Sequence, residues 1–228
     1  MNKSFFIEAL QHKPAFICAL LAYNSPAPAA PPAALAAVPS SLWQHAAVQR
    51  RFALDQATGF WDFIDESRRI AFLSEETLLR LALCCGITLH ASALSHCLLR
   101  TERQAIIDDL GAEALHYALT RGRFRQNSLC AVFEPWHQQL PLAHRVRVHG
   151  AWAIQMLIQS WPEQLLARFL PRWQAVLALL CHAISPAEVS LDPNFIAAWQ
   201  PAQTNLLWFS LKKLLLQEVD TAWAPCFA

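Results

Sequence analysis

The segment from Ser74 to Leu98 constrains the fold of this chain most, because its local signals consistently favour helix. Ser74 is a preferred N-cap residue, and the two glutamates after it place carboxylates at the positive end of a helix. Apolar residues then recur every three to four positions, a spacing typical of the buried face of a helix. We predict that this helix ends at Gly86 and that a second helix runs from Thr88 to about Arg100.

The composition extends the same expectation to the whole chain. Its 228 residues include 35 leucines and 38 alanines but only five glycines, and β-branched residues are sparse. Four of the glycines lie between or beside apolar periodic segments, where helices commonly end. These four are Gly86, Gly111, Gly122 and Gly150. We therefore predict an all-α fold, a single compact multi-helix domain with an N-terminal helix and a Pro/Ala-rich connection.

Residues 24–40 set the N-terminal helix apart, because five of them are proline and seven are alanine. We predict a helix within residues 4–23, broken near Pro14, so that 1–40 forms a helix and linker and 41–228 forms the main helical domain. A chain of this length can bury its core without disulfides. Polar residues and a proline interrupt the approach to the apolar run Ala15–Tyr23, so we do not expect a signal peptide.

The stretch LALCCGITLHASALSHCLL, residues 81–99, holds three of the seven cysteines and two of the nine histidines. Zinc sites use ligand pairs two to four residues apart, and the chain has neither C-x-x-C nor H-x-x-x-H. Adjacent cysteines on a helix diverge by about 100° and chelate poorly together. We interpret the stretch as reduced thiols packed in a core, and we predict no catalytic residue, metal ligand or cofactor.

His90 is expected to be a packing residue whose ring is hydrogen-bonded near the junction of two helices. The alternative is a cysteine- or metal-dependent helical enzyme that uses Cys84, Cys85 and His90, since the partners of a catalytic thiol are neighbours in space and not in sequence. A third hypothesis, a carrier of an apolar ligand, rests on the hydrophobic share of 55%. That share, with only 15% charged residues, also suggests that partners cover some apolar surface.

Motifs for nucleotide binding, serine hydrolysis and zinc proteolysis are absent from the sequence, and its nine tryptophans form no local cluster. A net charge of +1 excludes a general affinity for nucleic acid. No apolar run reaches the ~18 residues of a membrane span, so we expect no membrane insertion.

Charge is nevertheless uneven along the chain. Asp55–Thr120 carries ten acids and five bases, net −5, whereas Arg121–Arg172 carries seven arginines and two glutamates, net +5. Opposite poles can steer association with other proteins, although a chance distribution over solvated faces explains the pattern equally well. We predict a charged protein-docking surface made by Arg121, Arg123, Arg125, Arg145 and Arg147.

The residues LLRLALCCGITLHASALSHCLL resemble a segment of the type III secretion sorting-platform accessory proteins, the SctK/YscK family. The shared features are a leucine-rich helix, a single glycine, a short apolar step and a histidine. The matching positions are Leu79, Leu81, Leu83, Cys84, Gly86, Leu89, His90 and Cys97. The family often has glycine after the histidine, where this chain has Ala91. Weaker similarity extends over about residues 40–182.

The resemblance implies a non-enzymatic, mainly helical adaptor in the cytosolic sorting platform of a bacterial injectisome. Such an adaptor would link the forkhead-associated-like cytosolic domain of the inner-membrane ring protein to the pod protein that carries the ATPase stalk. It would therefore be cytoplasmic, and held at the cytosolic face of the inner membrane by these partners.

Overall fold

The computed structural model describes residues 13–24 and 60–227. Helices dominate both ranges and no β-strand occurs within them, so the predicted all-α class is confirmed for this part of the chain. The Pro/Ala-rich linker and the boundary at residues 40 and 41 lie outside the described residues. Within them, the chain divides into two units after Leu73 and before Ala222. This division places residues 60–73 with the N-terminal helix, whereas we predicted that they belong to the main domain.

The first unit contains helix α1 (Pro14–Asn24), a 3-10 helix (Glu66–Phe72) and the short C-terminal helix α12 (Ala224–Phe227). Helix α1 begins at Pro14, where its missing N–H is not needed. The part of the predicted helix before residue 13 lies outside the described residues, so the predicted break near Pro14 stays a prediction. Aromatic rings fill the core of the unit, and those of Phe63 and Phe72 lie 4.5 Å apart between centroids.

Two buried polar side chains of the first unit are hydrogen-bonded to its backbone. The Asn24 side chain donates to the Phe60 carbonyl at 2.8 Å and accepts from the Phe60 N–H at 2.8 Å. Arg69 is only 2% exposed and donates from Nη1 to the carbonyl of Cys226 at 2.7 Å. These bonds offset the cost of burying amide and guanidinium groups.

The second unit, Ser74–Thr221, holds the remaining α-helices of the described chain. They are α2 (Glu75–Leu89), α3 (Ala91–Ser95), α4 (Arg100–Leu110), α5 (Ala112–Thr120), α6 (Leu129–Phe133), α7 (Leu142–Ile158), α8 (Glu163–Leu180), α9 (Pro186–Val189), α10 (Pro193–Ala198) and α11 (Pro201–Leu214). A 3-10 helix (Gly122–Arg125) follows α5, and a π-helix (Leu215–Val219) continues α11. A further 3-10 helix (Thr221–Trp223) lies at the boundary with the first unit.

Helices α2 and α7 form the most extensive helix pair of the second unit, and two glycines allow it. A Cβ atom on Gly86 would lie 1.9 Å from the carbonyl oxygen of Val146, and one on Gly150 would lie 2.2 Å from that of Ala82. The prediction that Gly86 ends its helix is therefore wrong, because this residue lies within α2 and allows two backbones to touch. Gly111, by contrast, ends α4 with a φ of 90°, as predicted.

Two other predicted helix boundaries differ from the structure. The helix predicted from Thr88 to about Arg100 begins at Ala91 and stops at Ser95, so Leu98 is non-helical and 84% exposed. Proline is typical of the first turn of a helix, yet Pro171 lies inside α8. An interior proline costs about 3 kcal/mol. Burial of the continuous stripe that includes Phe169 and Trp173 offsets this cost.

Candidate functional site

His90 lies at the junction of α2 and α3 and is 4% exposed. Its Nε2 atom is 2.8 Å from Nδ1 of His149, a fully buried side chain of α7. The prediction of a hydrogen-bonded packing histidine at a helix junction is confirmed. Its partner was not predicted, because the two residues are 59 positions apart in sequence.

A third imidazole extends this contact. Nδ1 of His137, in the turn between α6 and α7, lies 3.3 Å from Nε2 of His149. We call His90, His149 and His137 the histidine chain. A neutral imidazole carries one N–H, so His149 donates one of its two hydrogen bonds and accepts the other. Either His90 donates to His149 and His149 to His137, or both bonds are reversed.

Burial keeps the histidine chain uncharged at neutral pH. Desolvation lowers the pKa of His149 to about 2 and that of His90 to about 4, and the positive charge of Arg145 adds to both effects. Desolvation lowers the pKa of His137 as well. A general acid or base works best with a pKa near the working pH. The rings are thus suited to holding helices together and poorly suited to proton transfer near pH 7.

Aromatic side chains surround the histidine chain. The Trp152 ring lies 4.6 Å from that of His137 and 4.7 Å from that of Phe195, and its Nε1 donates to the carbonyl of Val189 at 3.0 Å. Further rings from α6, from the following turn and from the residue after α10 join this cluster: Phe133, Trp136 and Trp199. Three of the tryptophans that form no cluster in sequence therefore meet in space. Two local signals were the spacing of His149 and Trp152 by three residues on α7 and the adjacency of Trp136 and His137.

The thiols beside His90 lie in environments that oppose reactivity. Cys85 is 3% exposed, and burial raises its pKa. Burial also raises the pKa of Cys84 to about 11. The thiolate is the nucleophilic form of cysteine, and these shifts keep both residues protonated at neutral pH. Within residues 13–24 and 60–227, no group of three His, Cys, Asp or Glu side chains is placed to hold a metal ion.

The loop of residues 121–125, which carries three arginines of the predicted docking surface, is anchored by a buried carboxylate. Arg121 and Arg125 both pair with Glu218, a π-helix residue whose side chain is 3% exposed. The Arg121 Nη1 atom lies 2.8 Å from one carboxylate oxygen, and Arg125 contacts the other. Arg125 also donates to the side-chain oxygen of Gln217 at 2.6 Å. Charge reversal of these two arginines would therefore disturb the fold of the loop as well as its binding to any partner.

The two other half-buried arginines of the predicted surface lie in α7 and make different contacts. Arg147 donates to a carboxylate oxygen of Asp109 at 2.7 Å and to the carbonyl of Leu180 at 2.9 Å, which joins α7 to α4 and α8. Arg145 donates to the side-chain oxygen of Gln138 at 3.0 Å. The five predicted arginines thus occupy distinct settings, and their role in protein binding stays a prediction.

An apolar groove of about 220 Å³ opens beside the loop. We call it the Phe124–Phe209 groove, after two phenylalanines that line it and are 74% and 65% exposed. The Arg123 guanidinium lies 4.6 Å from the centre of the Phe124 ring, and Lys213 contributes a second exposed cation. The groove was not predicted, because helical spacing identifies an apolar face without showing whether a neighbour covers it.

Comparison of the chain with protein-family models, with curated proteins and with solved structures finds no match in any of the three. The resemblance to sorting-platform accessory proteins therefore depends on the quoted residues alone. In the described part of the chain, no helix combines the length and the apolar character needed to cross a bilayer.

Proposed function

We propose that the protein is a non-enzymatic adaptor that binds other proteins through surfaces of its second unit. The observation that carries this proposal is the Phe124–Phe209 groove. Two large apolar side chains stand in water beside a concave apolar surface. Exposed apolar area of this kind is typical of interaction sites, because a partner that covers it removes the area from water.

The polar interior supports the same proposal. Burial raises the pKa of Cys84 and Cys85 and lowers that of His90, and these directions suppress thiolate formation and acid–base chemistry near neutral pH. The alternative, an enzyme that uses Cys84, Cys85 and His90, would need the opposite displacement. Thiol-reactivity profiling tests it, since one of these cysteines titrating well below about 8.5 would favour the enzyme.

For the biological setting, we follow the resemblance described above and propose the cytosolic sorting platform of a bacterial type III secretion injectisome. The protein would link the cytosolic domain of the inner-membrane ring protein to the pod protein. It would lie in the cytoplasm, at the cytosolic face of the inner membrane, through these partners. The opposed charges of residues 55–120 and 121–172 support binding of two partners in a defined orientation.

Reconstitution with both partners tests this proposal. The full chain is mixed with the ring protein's cytosolic domain and with the pod protein from the same bacterium, and complexes are sized by chromatography with light scattering. We expect a complex that contains all three proteins, and none between ring domain and pod protein when the chain is omitted. If the chain binds neither protein, the proposed setting is wrong.

A further inference from the structure

We infer that the Phe124–Phe209 groove binds an amphipathic helix of a partner protein. Apolar side chains of that helix enter the groove, and its acidic side chains meet the cations at the rim. This inference rests on the proposed adaptor function and adds the chemistry of the partner.

The floor of the groove is suited to apolar side chains. It is formed largely by leucines of α2, α6 and α11: Leu89, Leu129, Leu207 and Leu214. Its polar side chains Asn127 and Ser210 are already engaged, because Asn127 donates to the Ser210 hydroxyl at 2.8 Å and that hydroxyl donates to the carbonyl of Leu206 at 2.8 Å. An apolar group that enters the groove therefore leaves these two side chains hydrogen-bonded.

The shape of the groove favours a helix as the occupant. The groove is concave and lies between helices, and side chains that recur every three to four residues on a partner helix form a ridge that fits such a groove. A bilayer presents a broad surface without such a ridge. The described residues of the second unit contain no strand edge to which an extended peptide could add.

The charge of the rim selects an acidic helix. Arg125 and Lys213 line the groove, and among the described residues that line it none is a carboxylate. Exposed Arg123 lies over the Phe124 ring at the same rim. The carboxylate of Glu218 does not neutralise these groups fully, because Arg121 and Arg125 both pair with it. Acidic side chains on the partner would thus be attracted to the rim, and basic ones repelled.

Photo-crosslinking identifies the occupant in cells. A photoreactive amino acid replaces Phe209 in the full-length chain, expressed in the cells that normally produce it, and the crosslinked segment is sequenced by mass spectrometry. We expect a segment with apolar residues at helical spacing and with Asp or Glu beside them. A crosslink to a basic segment, to lipid or to a second copy of this chain would overturn the inference.

A synthetic peptide of the crosslinked segment then measures the contribution of the groove. Phe209→Ser should weaken binding at least about tenfold, as followed by fluorescence anisotropy. Lys213→Glu should weaken it about threefold to tenfold at low salt and less at high salt, because the charge is exposed and screened. The matched control is Leu98→Ser, which removes an even more exposed apolar side chain that does not line the groove and should leave affinity unchanged.

Thermal unfolding of each variant establishes that its fold is retained. Unchanged peptide affinity in folded Phe209→Ser would overturn the inference. So would displacement of the peptide by vesicles of phosphatidylethanolamine and phosphatidylglycerol, because a lipid surface would then be the occupant of the groove.

The same variants separate this inference from the proposed function. A crosslinked segment of the expected chemistry in a protein outside any injectisome would support the groove and reject the proposed setting. If ring domain and pod protein bind Phe209→Ser as they bind the parent chain, the proposed setting stands and the groove is not their docking site.

Discussion

The histidine chain and the Phe124–Phe209 groove are opposite departures from the usual distribution of polar and apolar groups. The first buries the imidazoles of His90 and His149 and half-buries that of His137 among aromatic rings, and the second exposes two phenylalanines to water. Buried imidazoles find hydrogen-bond partners in one another, so the fold itself satisfies them. The area of the exposed rings remains open to a second molecule. Departures of the first kind thus indicate structure, and those of the second kind indicate binding.

The arginines of the second unit follow the same division. Arg147 and Arg125 are half-buried and bonded to groups of the fold, so their charge serves its stability. Arg123 is exposed beside a groove that also exposes apolar rings. A positive charge that no carboxylate of the same chain engages is therefore fully open to a partner, whereas Arg125 shares its charge between Glu218 and the groove that it lines.

Removing the central ring of the histidine chain should have the largest effect on stability. We expect His149→Ala to lower the free energy of unfolding by about 3 kcal/mol, because it leaves a cavity among aromatic side chains and unpairs the ring nitrogens of two neighbours. Urea unfolding at neutral pH, followed by tryptophan fluorescence, measures the loss. His182→Ala, at an exposed histidine, is the control and should cost no more than about 0.5 kcal/mol. Equal losses in the two variants would show that the histidine chain is not a structural element.

Acid should have the next largest effect. The pKa values of folded His90 and His149, about 4 and about 2, lie below the ordinary value of about 6.5 that holds in the unfolded chain. Below pH 6.5 the unfolded chain therefore binds protons that the folded chain does not, so their contribution is complete above that pH and is lost as pH falls. We expect a loss of about 2 kcal/mol between pH 6.5 and 5.5.

Replacement of the central imidazole isolates this effect from the titration of carboxylates. Urea unfolding over the same pH range should give a shallower decline for His149→Phe than for the parent chain, since the variant has lost one buried titrating ring and keeps an aromatic group. Parallel pH profiles would assign the acid sensitivity to other groups.

The smallest effect on stability is expected at the groove. Phe209→Ser should change the free energy of unfolding by no more than about 0.5 kcal/mol, because the side chain is 65% exposed. Leu207→Ala, two residues earlier on α11 and fully buried, provides the contrast and should cost about 3 kcal/mol. If both variants lose similar stability, Phe209 packs against the fold and its exposure carries no functional meaning.

The sequence predicted the local features of the candidate site but not its long-range contacts. The burial of Cys85 and the hydrogen-bonded state of His90 followed from an apolar stripe and a helix junction, both visible within a few residues. The partner of His90, His149, could not be predicted, and neither could Glu218, the carboxylate that pairs with Arg121 and Arg125. Both contacts join residues more than fifty positions apart, and no local pattern distinguishes a buried glutamate near the end of a helix from a solvated one.

The sequence alone predicted which class of secondary structure forms. The all-α class, the cap at Ser74 and the stop at Gly111 depend on propensities and on hydrogen bonds between residues at most four apart. Tertiary packing decided the roles of residues that are compatible with more than one position in a helix. Gly86 and Gly150 could serve equally as helix ends or as contact points, and Pro171 as a helix start or an interior residue. Only the close approach of α2 and α7, and the burial of one face of α8, decided between these outcomes, because burial depends on which elements meet in space.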